Sequence, residues 1–295
     1  MDNAGRLTNT IVLTNSVQER NTVYMLDLAG NRTNVTGDNY PGAYTLNSTL
    51  PQPADYQENQ YTTTPVGNFT YDLNGNRLSE SASGLTVRGY TYDYANRMVS
   101  ATGAGGTPLA AYVYDALGRR RQKVVVIGGT TTVTTKFVYD GDCVVEERNV
   151  QGTVLESLTL NGSGSFDPNG GAVTFDMIRN NGTNYYPHPD DNGSMMALTL
   201  DNGSVAERYE YQDYGEPSFY NAAGSQISGT AVGNTFLYGG TMFDSESGFY
   251  EDTAGSFDTR VAAPLQRNTG DPAEVRVEKF NVKQEFGPTQ ANKKN

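Results

Sequence analysis

A tyrosine–aspartate pair, followed within a few residues by Gly or Asn and then Arg, returns along the first half of this chain at nearly constant spacing. Strict copies are Tyr71-Asp72-Leu73-Asn74-Gly75-Asn76-Arg77, Tyr92-Asp93-Tyr94-Ala95-Asn96-Arg97 and Tyr114-Asp115-Ala116-Leu117-Gly118-Arg119, and a decayed Tyr139-Asp140-Gly141 follows them. Upstream stand Leu26-Asp27-Leu28-Ala29-Gly30-Asn31-Arg32 and Asn3-Ala4-Gly5-Arg6-Leu7. The four leading tyrosines lie 21, 22 and 25 residues apart, and Asp27 to Asp72 is 45, about two such steps. A fixed period means a repeat architecture, in which each unit buries its apolar face only by stacking on its neighbours.

The units read as β-hairpins. In Gly89-Tyr90-Thr91-Tyr92-Asp93 and Ala111-Tyr112-Val113-Tyr114-Asp115 the tyrosines recur at period two, so Tyr90 and Tyr92 share one strand face, as do Tyr112 and Tyr114. Aspartate ends the strand because its short carboxylate accepts a backbone N–H two residues on, and the Gly or Asn that follows tolerates positive φ. A second strand then leaves the turn, opened by Arg. Further strands are expected at 124–127 and 130–139 around Gly128-Gly129, and at 154–160, 172–178, 195–200, 205–211 and 235–238. Turns are expected at Asn161-Gly162, 167–170 and Asp201-Asn202-Gly203. Residues 36–60 read as a surface excursion and residues 273–295 as a disordered tail. The expected class is all-β, a curved or spiralling antiparallel sheet of tandem Tyr-Asp hairpins. Twenty tyrosines, 33 glycines and no tryptophan among 295 residues suit many short strands and tight turns, and no 12-residue stretch carries helical apolar spacing.

A formal charge of −12 argues against nucleic acid, which needs a concentrated basic face; Arg119-Arg120-Arg121 with Lys123, and Lys293-Lys294, read as solvated surface or tail. The one cysteine, Cys143, makes no internal disulfide and reads as a buried small side chain. No signal peptide or apolar span is legible. The sole histidine, His188 between two prolines, lacks the company a zinc site needs, so no metal and no cofactor is expected. Asp72-Leu73-Asn74-Gly75-Asn76 superficially matches a calcium loop but lacks its Gly and its closing Glu, and the Gly-rich pieces lack the Lys-Ser/Thr of a phosphate cradle. The acids that merit mutation are Asp244, Glu246, Asp252, Asp258 and Asp271, and for most the plain alternative is that they end strands or turns.

Four blocks in this order resemble the C-terminal part of an Rhs/YD-repeat protein with a degenerate repeat-associated core. They are the Tyr-Asp repeats with Asp27, Asp72, Asp93, Asp115 and Asp140; Tyr185-Tyr186-Pro187-His188-Pro189-Asp190-Asp191-Asn192-Gly193-Ser194; residues 205–217 through Tyr209-Glu210-Tyr211 and Tyr214-Gly215; and residues 234–250 through Phe243-Asp244-Ser245-Glu246-Ser247-Gly248-Phe249-Tyr250. The resemblance implies a β-sheet spiralling into a shell around a passenger, usually a C-terminal toxin, and in some members an aspartyl self-cleavage site in the core. It implies a repeat region over 1–140, a connecting β region over 141–233, the core segment over 234–272 and the tail beyond. This chain departs from the family where the core's arginines give way to Thr253 and Gly255. Asp258 survives, but Asn268 stands where the second acid belongs, and an amide cannot be the second carboxyl of a proton-sharing dyad. Asp271 replaces it only after a register shift.

Three functions follow as expectations: a non-enzymatic partial shell or remnant of a toxin-delivery or cell-surface protein, a residual self-cleaving module using Asp258 with Asp271, or an adhesion or carbohydrate-binding module. Partners implied are further repeat segments or a toxin passenger in a longer parent, with self-association through open edges such as 124–127. The resemblance implies an extracellular or envelope location.

Overall fold

The computed structural model of the chain describes residues 1–3, 5–14, 16–46, 60–160, 175–252 and 255–266. A four-stranded N-terminal sheet holds β1 (Asn9–Thr14), β2 (Val17–Leu26), β3 (Arg32–Thr36) and β4 (Gly42–Ala43). Next come β5 (Thr45–Leu46), β6 (Tyr61–Thr63), β7 (Asn68–Tyr71), β8 (Arg77–Ala82), β9 (Leu85–Tyr92), β10 (Met98–Thr102), β11 (Pro108–Tyr114), β12 (Arg120–Ile127) and β13 (Thr131–Asp140). The sheet continues through β14 (Cys143–Arg148), β15 (Val154–Leu160), β16 (Phe175–Asn180), β17 (Thr183–Pro189), β18 (Met195–Thr199), β19 (Val205–Tyr211), β20 (Pro217–Asn221) and β21 (Gln226–Ile227). Strands β5 to β21 follow chain order around one antiparallel sheet that closes into a barrel. A last small sheet holds β22 (Met242–Asp244), β23 (Phe249–Asp252), β24 (Gly255–Asp258) and β25 (Ala263–Pro264). The all-β expectation holds: among the described residues the helical elements are the single 3-10 turns Ala104–Gly106 and Tyr238–Gly240.

Each Tyr-Asp turn closes in the same way. Asp72 Oδ1 accepts the amides of Asn74 at 2.9 Å and Asn76 at 2.8 Å, while the Asp72 amide donates to the Asn76 carbonyl and the Gly75 amide to the Asp72 carbonyl. Asp93 and Asp115 repeat the pattern with Ala95 and Arg97, and with Leu117 and Arg119. The residue three after the aspartate has φ of +84° at Gly75, +60° at Asn96 and +86° at Gly118, the left-handed region that Gly and Asn tolerate at least cost.

This geometry corrects the sequence register of the arginines. The partner of the turn aspartate is the residue four on: Arg97 and Arg119 reach back to Asp93 and Asp115, with Nε–Oδ2 distances of 2.8 and 2.9 Å. In the Asp72 copy that place belongs to Asn76, whose Nδ2 donates to Asp72 at 2.9 Å, and in the Asp27 copy to Asn31. Arg77 is therefore not the counterpart of Arg97. It sits one residue later, together with Arg32, Met98 and Arg120, and because strand side chains alternate, these four point to the opposite, inner side and are buried. Asp140 closes a shorter hairpin, pairing directly with Cys143.

Successive units are joined by the leading tyrosines. Tyr92 Oη donates to the Arg77 carbonyl at 2.8 Å, Tyr114 to Met98 at 2.8 Å, Tyr139 to Arg120 at 2.7 Å and Tyr211 to Met195 at 2.7 Å. Each hydroxyl thus reaches the carbonyl of the inward residue of the unit before it. From the other side, the Arg97 and Arg119 guanidiniums lie 4.8 Å from the ring centroids of Tyr114 and Tyr139.

The inner face is covered by residues 234–266. Phe236, Leu237, Tyr238, Met242, Tyr250 and Phe257 join a core with Phe137, Leu158, Ile178, Leu198 and Tyr209; Val261 and Ala263 join one with Tyr24, Val35, Tyr61 and Phe69; Phe249 and Leu265 join one with Tyr90, Met98 and Tyr112. Gly215 shows how closely the segment packs: besides its φ of +91°, a Cβ there would lie 2.7 Å from the Tyr238 ring.

Several strand expectations are met, 205–211 to the residue, and others are corrected. Residues 124–127 are not an open edge as a whole: all four pair with β13, and Val124 and Val125 pair with β11 on the other side. Residues 235–238 form no strand but a lone bridge, Phe236 to Met242, running into the 3-10 turn, because the chain there turns into the interior. Within 36–60, Tyr44 is buried and β4 and β5 add to two sheets, so that stretch is partly structural. The expected turns at 161–162 and 167–170, the first residues of the expected 172–178 strand and the tail at 273–295 lie outside the described residues.

Removing one joining hydroxyl leaves a carbonyl unpaired. Tyr92→Phe is expected to lower unfolding stability by about 1 kcal/mol in urea denaturation, whereas Tyr94→Phe, 95% exposed at a turn tip, should change nothing measurable.

Candidate functional site

Three of the four inward positions are arginines, and each stacks on an aromatic ring of its own sheet: Arg32 4.8 Å from Tyr24, Arg77 3.9 Å from Phe69 and Arg120 4.2 Å from Tyr112. A buried guanidinium requires an anion, and the segment 242–260 supplies it for two of them. Asp258 Oδ2 lies 2.7 Å from Arg77 Nη1, with both side chains fully buried. Arg260 holds the same carboxylate at 2.9 Å and extends to Glu80 at 2.9 Å. Asp244 lies 2.6 Å from Arg120 and 2.9 Å from Lys123; Glu251 is 3.0 Å from Arg120 and Glu246 is 3.4 Å from Lys123.

These partners fix the charge states. Burial would raise Asp258, but the Arg260 and Arg77 guanidiniums outweigh it and bring its pKa to about 2. Burial opposed by Arg120 and Lys123 leaves Asp244 lowered as well. Glu246 is raised by burial and by the Asp244 charge, and Glu251 is raised by burial despite Arg120. Chemically, Asp258 is an ionised anion near neutral pH, with both carboxylate oxygens held by guanidiniums of Arg77 and Arg260.

A different pair of carboxyls is shifted the other way. Glu147 on β14 stands directly opposite Glu156 on β15. Glu156 is 2% exposed; one oxygen accepts Asn180 Nδ2 at 2.8 Å and the other has no hydrogen-bond partner. Burial, and then the neighbouring Glu147, raise Glu156 to about 8.

Of the residues singled out in the sequence, Asp244, Glu246 and Asp258 come to the inner face. Asp27, Asp72, Asp93 and Asp115 stay at turns, with Arg97 and Arg119 beside the last two. Asn268, Asp271 and the Asp252 side chain lie outside what is described. His188 is exposed and shares a hydrogen bond with Thr199 at 2.9 Å. Cys143 is buried. Among the described residues no group of three or more His, Cys, Asp or Glu is arranged to hold a metal ion. Sequence reasoning missed Glu80, Glu147, Glu156 and Arg260, and its reading of Arg120 and Lys123 as solvated surface is corrected: both are buried and paired with Asp244. The signal that would have found Arg32, Arg77 and Arg120 is their place five residues after the turn aspartate.

The family model described as RHS Repeat matches residues 69–108, the hairpins β7 to β10 with the turn aspartates Asp72 and Asp93. The chain carries an RHS repeat. It is 29% identical over 230 residues to the tRNA3(Ser)-specific nuclease WapA of Bacillus spizizenii and 28% identical over 230 residues to the tRNA nuclease WapA of Bacillus subtilis. Each match takes in 77% of this chain but only 9% of the relative's length. Among solved structures it is similar to the Photorhabdus luminescens Tc holotoxin pore, at 15% identity and a TM-score of 0.47, over 97% of this chain and 18% of that one. No described helix is long and apolar enough to cross a membrane, which says nothing of strands.

Two expectations follow. Arg77→Met and Asp258→Asn should each cost about 3–5 kcal/mol, and the double variant less than their sum, in a urea double-mutant cycle. Asp258, lowered in the fold, contributes stability that is present above its unfolded value near 3.8 and lost as pH falls through about 2. Glu156 acts with the opposite sign. The folded state binds the extra proton between about 4.5 and about 8, so stability falls across that window as pH rises, and Glu156→Gln should flatten the fall in chemical-denaturation midpoints measured from pH 4 to 9.

Proposed function

We propose that this chain is a non-enzymatic structural RHS module, a partial shell or remnant of a toxin-delivery or cell-surface protein, in which the core segment fills the space the sheet encloses. One observation carries this reading: residues 234–266 enter all three hydrophobic cores and supply the carboxylates for Arg77, Arg120 and Lys123. A sheet with ionised, buried arginines on its inner face does not close over empty space, because each uncompensated charge costs several kcal/mol. The segment is therefore a structural part of the barrel and not a releasable cargo.

In a longer parent this module caps or closes a larger repeat array, and the nuclease names of the WapA relatives suit a parent that carries a toxin beyond the region matched here. An extracellular or envelope setting accords with that reading. Self-cleavage at Asp258 is disfavoured because Arg77 and Arg260 occupy both of its carboxylate oxygens, leaving neither to share a proton with a second carboxyl.

Purified full-length chain incubated for hours between pH 5 and 8 and then weighed should keep its intact mass, with Asp258→Asn giving the same result. A cut near residue 258 that this substitution abolishes would overturn the reading. Amides of β22 to β25 should also be among the slowest to exchange with deuterium.

A further inference from the structure

Four Asn-Gly steps lie among the described residues, at 74–75, 181–182, 192–193 and 202–203. Asparagine before glycine is chemically vulnerable, because a glycine nitrogen with no Cβ beside it can reach the preceding side-chain carbonyl carbon. That approach needs an amide that is not already donating and a turn free to bend. Three of the steps withhold it. The Gly75 amide donates to the Asp72 carbonyl at 3.0 Å, Gly193 to Asp190 at 2.9 Å and Gly203 to Leu200 at 2.8 Å. Side chains tighten the same turns: Asp72 Oδ1 accepts the Asn74 amide, Asp190 Oδ1 the Asn192 amide and Asn202 Oδ1 the Ser204 amide, each at 2.9 Å. Gly75 and Gly193 are also buried. Asn181-Gly182 is built differently. It is the two-residue tip of the β16–β17 hairpin, between the paired Asn180 and Thr183, with φ of +46° and +84°. Both residues are exposed, and a Cβ placed on Gly182 would meet nothing within 4 Å. The Gly182 amide makes no hydrogen bond among the described residues.

We infer that Asn181 is a site of spontaneous deamidation, the preferred one among these four steps. The Gly182 nitrogen, having given its proton to solvent base, attacks Asn181 Cγ. An N–Cγ bond forms, the Cγ–Nδ2 bond breaks, and ammonia leaves with a proton taken from solvent, which closes a cyclic imide. Water then opens the ring at either carbonyl to give aspartate or isoaspartate, with nothing oxidised or reduced at any step. Either product places a carboxylate where an amide donor stood. Asn181 Nδ2 donates to Asn180 Oδ1 at 2.8 Å, and Asn180 Nδ2 donates to Glu156 at 2.8 Å. An ionised acid at 181 only accepts, so the relay of amides from the exposed tip to buried Glu156 loses its outer bond. Isoaspartate also adds an atom to the backbone of a two-residue turn, which shifts the Asn180–Thr183 pairing. This inference stands independently of the proposed shell function.

The test is a time course of peptide mapping by mass spectrometry on the full chain, held for days in mildly alkaline buffer, both folded and in concentrated urea. In the folded chain, conversion at Asn181 should be at least about fivefold faster than at Asn74, Asn192 or Asn202, the factor that one retained hydrogen bond imposes. In urea every turn is open, and the four rates should converge. Conversion at Asn74, Asn192 or Asn202 that keeps pace with Asn181 in the folded chain would overturn the inference. So would an Asn181 that stays intact there, or a preference for Asn181 that persists undiminished in urea, since local sequence and not the fold would then set it.

Discussion

The structure rests on a simple constraint: an arginine begins the second strand of several Tyr-Asp units on the inner side of a curved sheet, and a guanidinium buried there needs a carboxylate. Neither Arg77 nor Arg120 finds one within its own repeat, because the turn aspartate is already taken by the residue four positions on. The anions come from more than a hundred residues away, as Asp258 and Asp244. Burying such pairs gains little net stability against apolar replacements, but leaving one partner alone is costly, so the pairs act mainly to fix which segment lies against which repeat. Stacking on Phe69 and Tyr112 holds each guanidinium flat against its own strand and presents its edge to the incoming carboxylate.

Two kinds of bond divide the labour. Within a unit, the aspartate satisfies the turn amides and orients its Arg or Asn. Between units, tyrosine hydroxyls reach back to the carbonyl at the inward position, and arginines cover the next tyrosine ring. The outer rim is thus built from local contacts between chain neighbours, and the interior from long-range ones. Closing a barrel of seventeen strands in chain order needs little topological search at the rim, since each strand adds beside the one before it. Distant parts of the chain are joined by barrel closure, by the contacts of Arg20 and Tyr24 with Asp213, and by the seating of residues 234–266.

The acid balance of the interior adds a second property. Asp244 and Asp258 are held ionised by their cations, whereas Glu156, Glu147, Glu246 and Glu251 are raised. Glu156, which has no ion pair of its own among the described residues and faces Glu147 across the strands, is pushed up to about 8 by burial and then by that neighbour. The interior is therefore matched more closely to mildly acidic conditions than to alkaline ones.

Much of this was legible in the residues themselves. The period of the tyrosines, their alternation before each aspartate and the Gly or Asn at the positive-φ position determined hairpins, their order and the all-β class, because these are local consequences of strand geometry and turn sterics. The same letters misled over Arg77, since Asn-Arg and Arg-Met look alike until the turn is counted from the aspartate, and one residue of shift moves a strand side chain to the other face. They also suggested an open edge at 124–127, where the structure pairs both sides of β12. Barrel closure, the seating of 234–266 against the inner face and the pairing of Arg77 with Asp258 were decided by tertiary structure alone. Charge compensation and burial depend on which distant groups share a low-dielectric space, and no local pattern encodes that proximity.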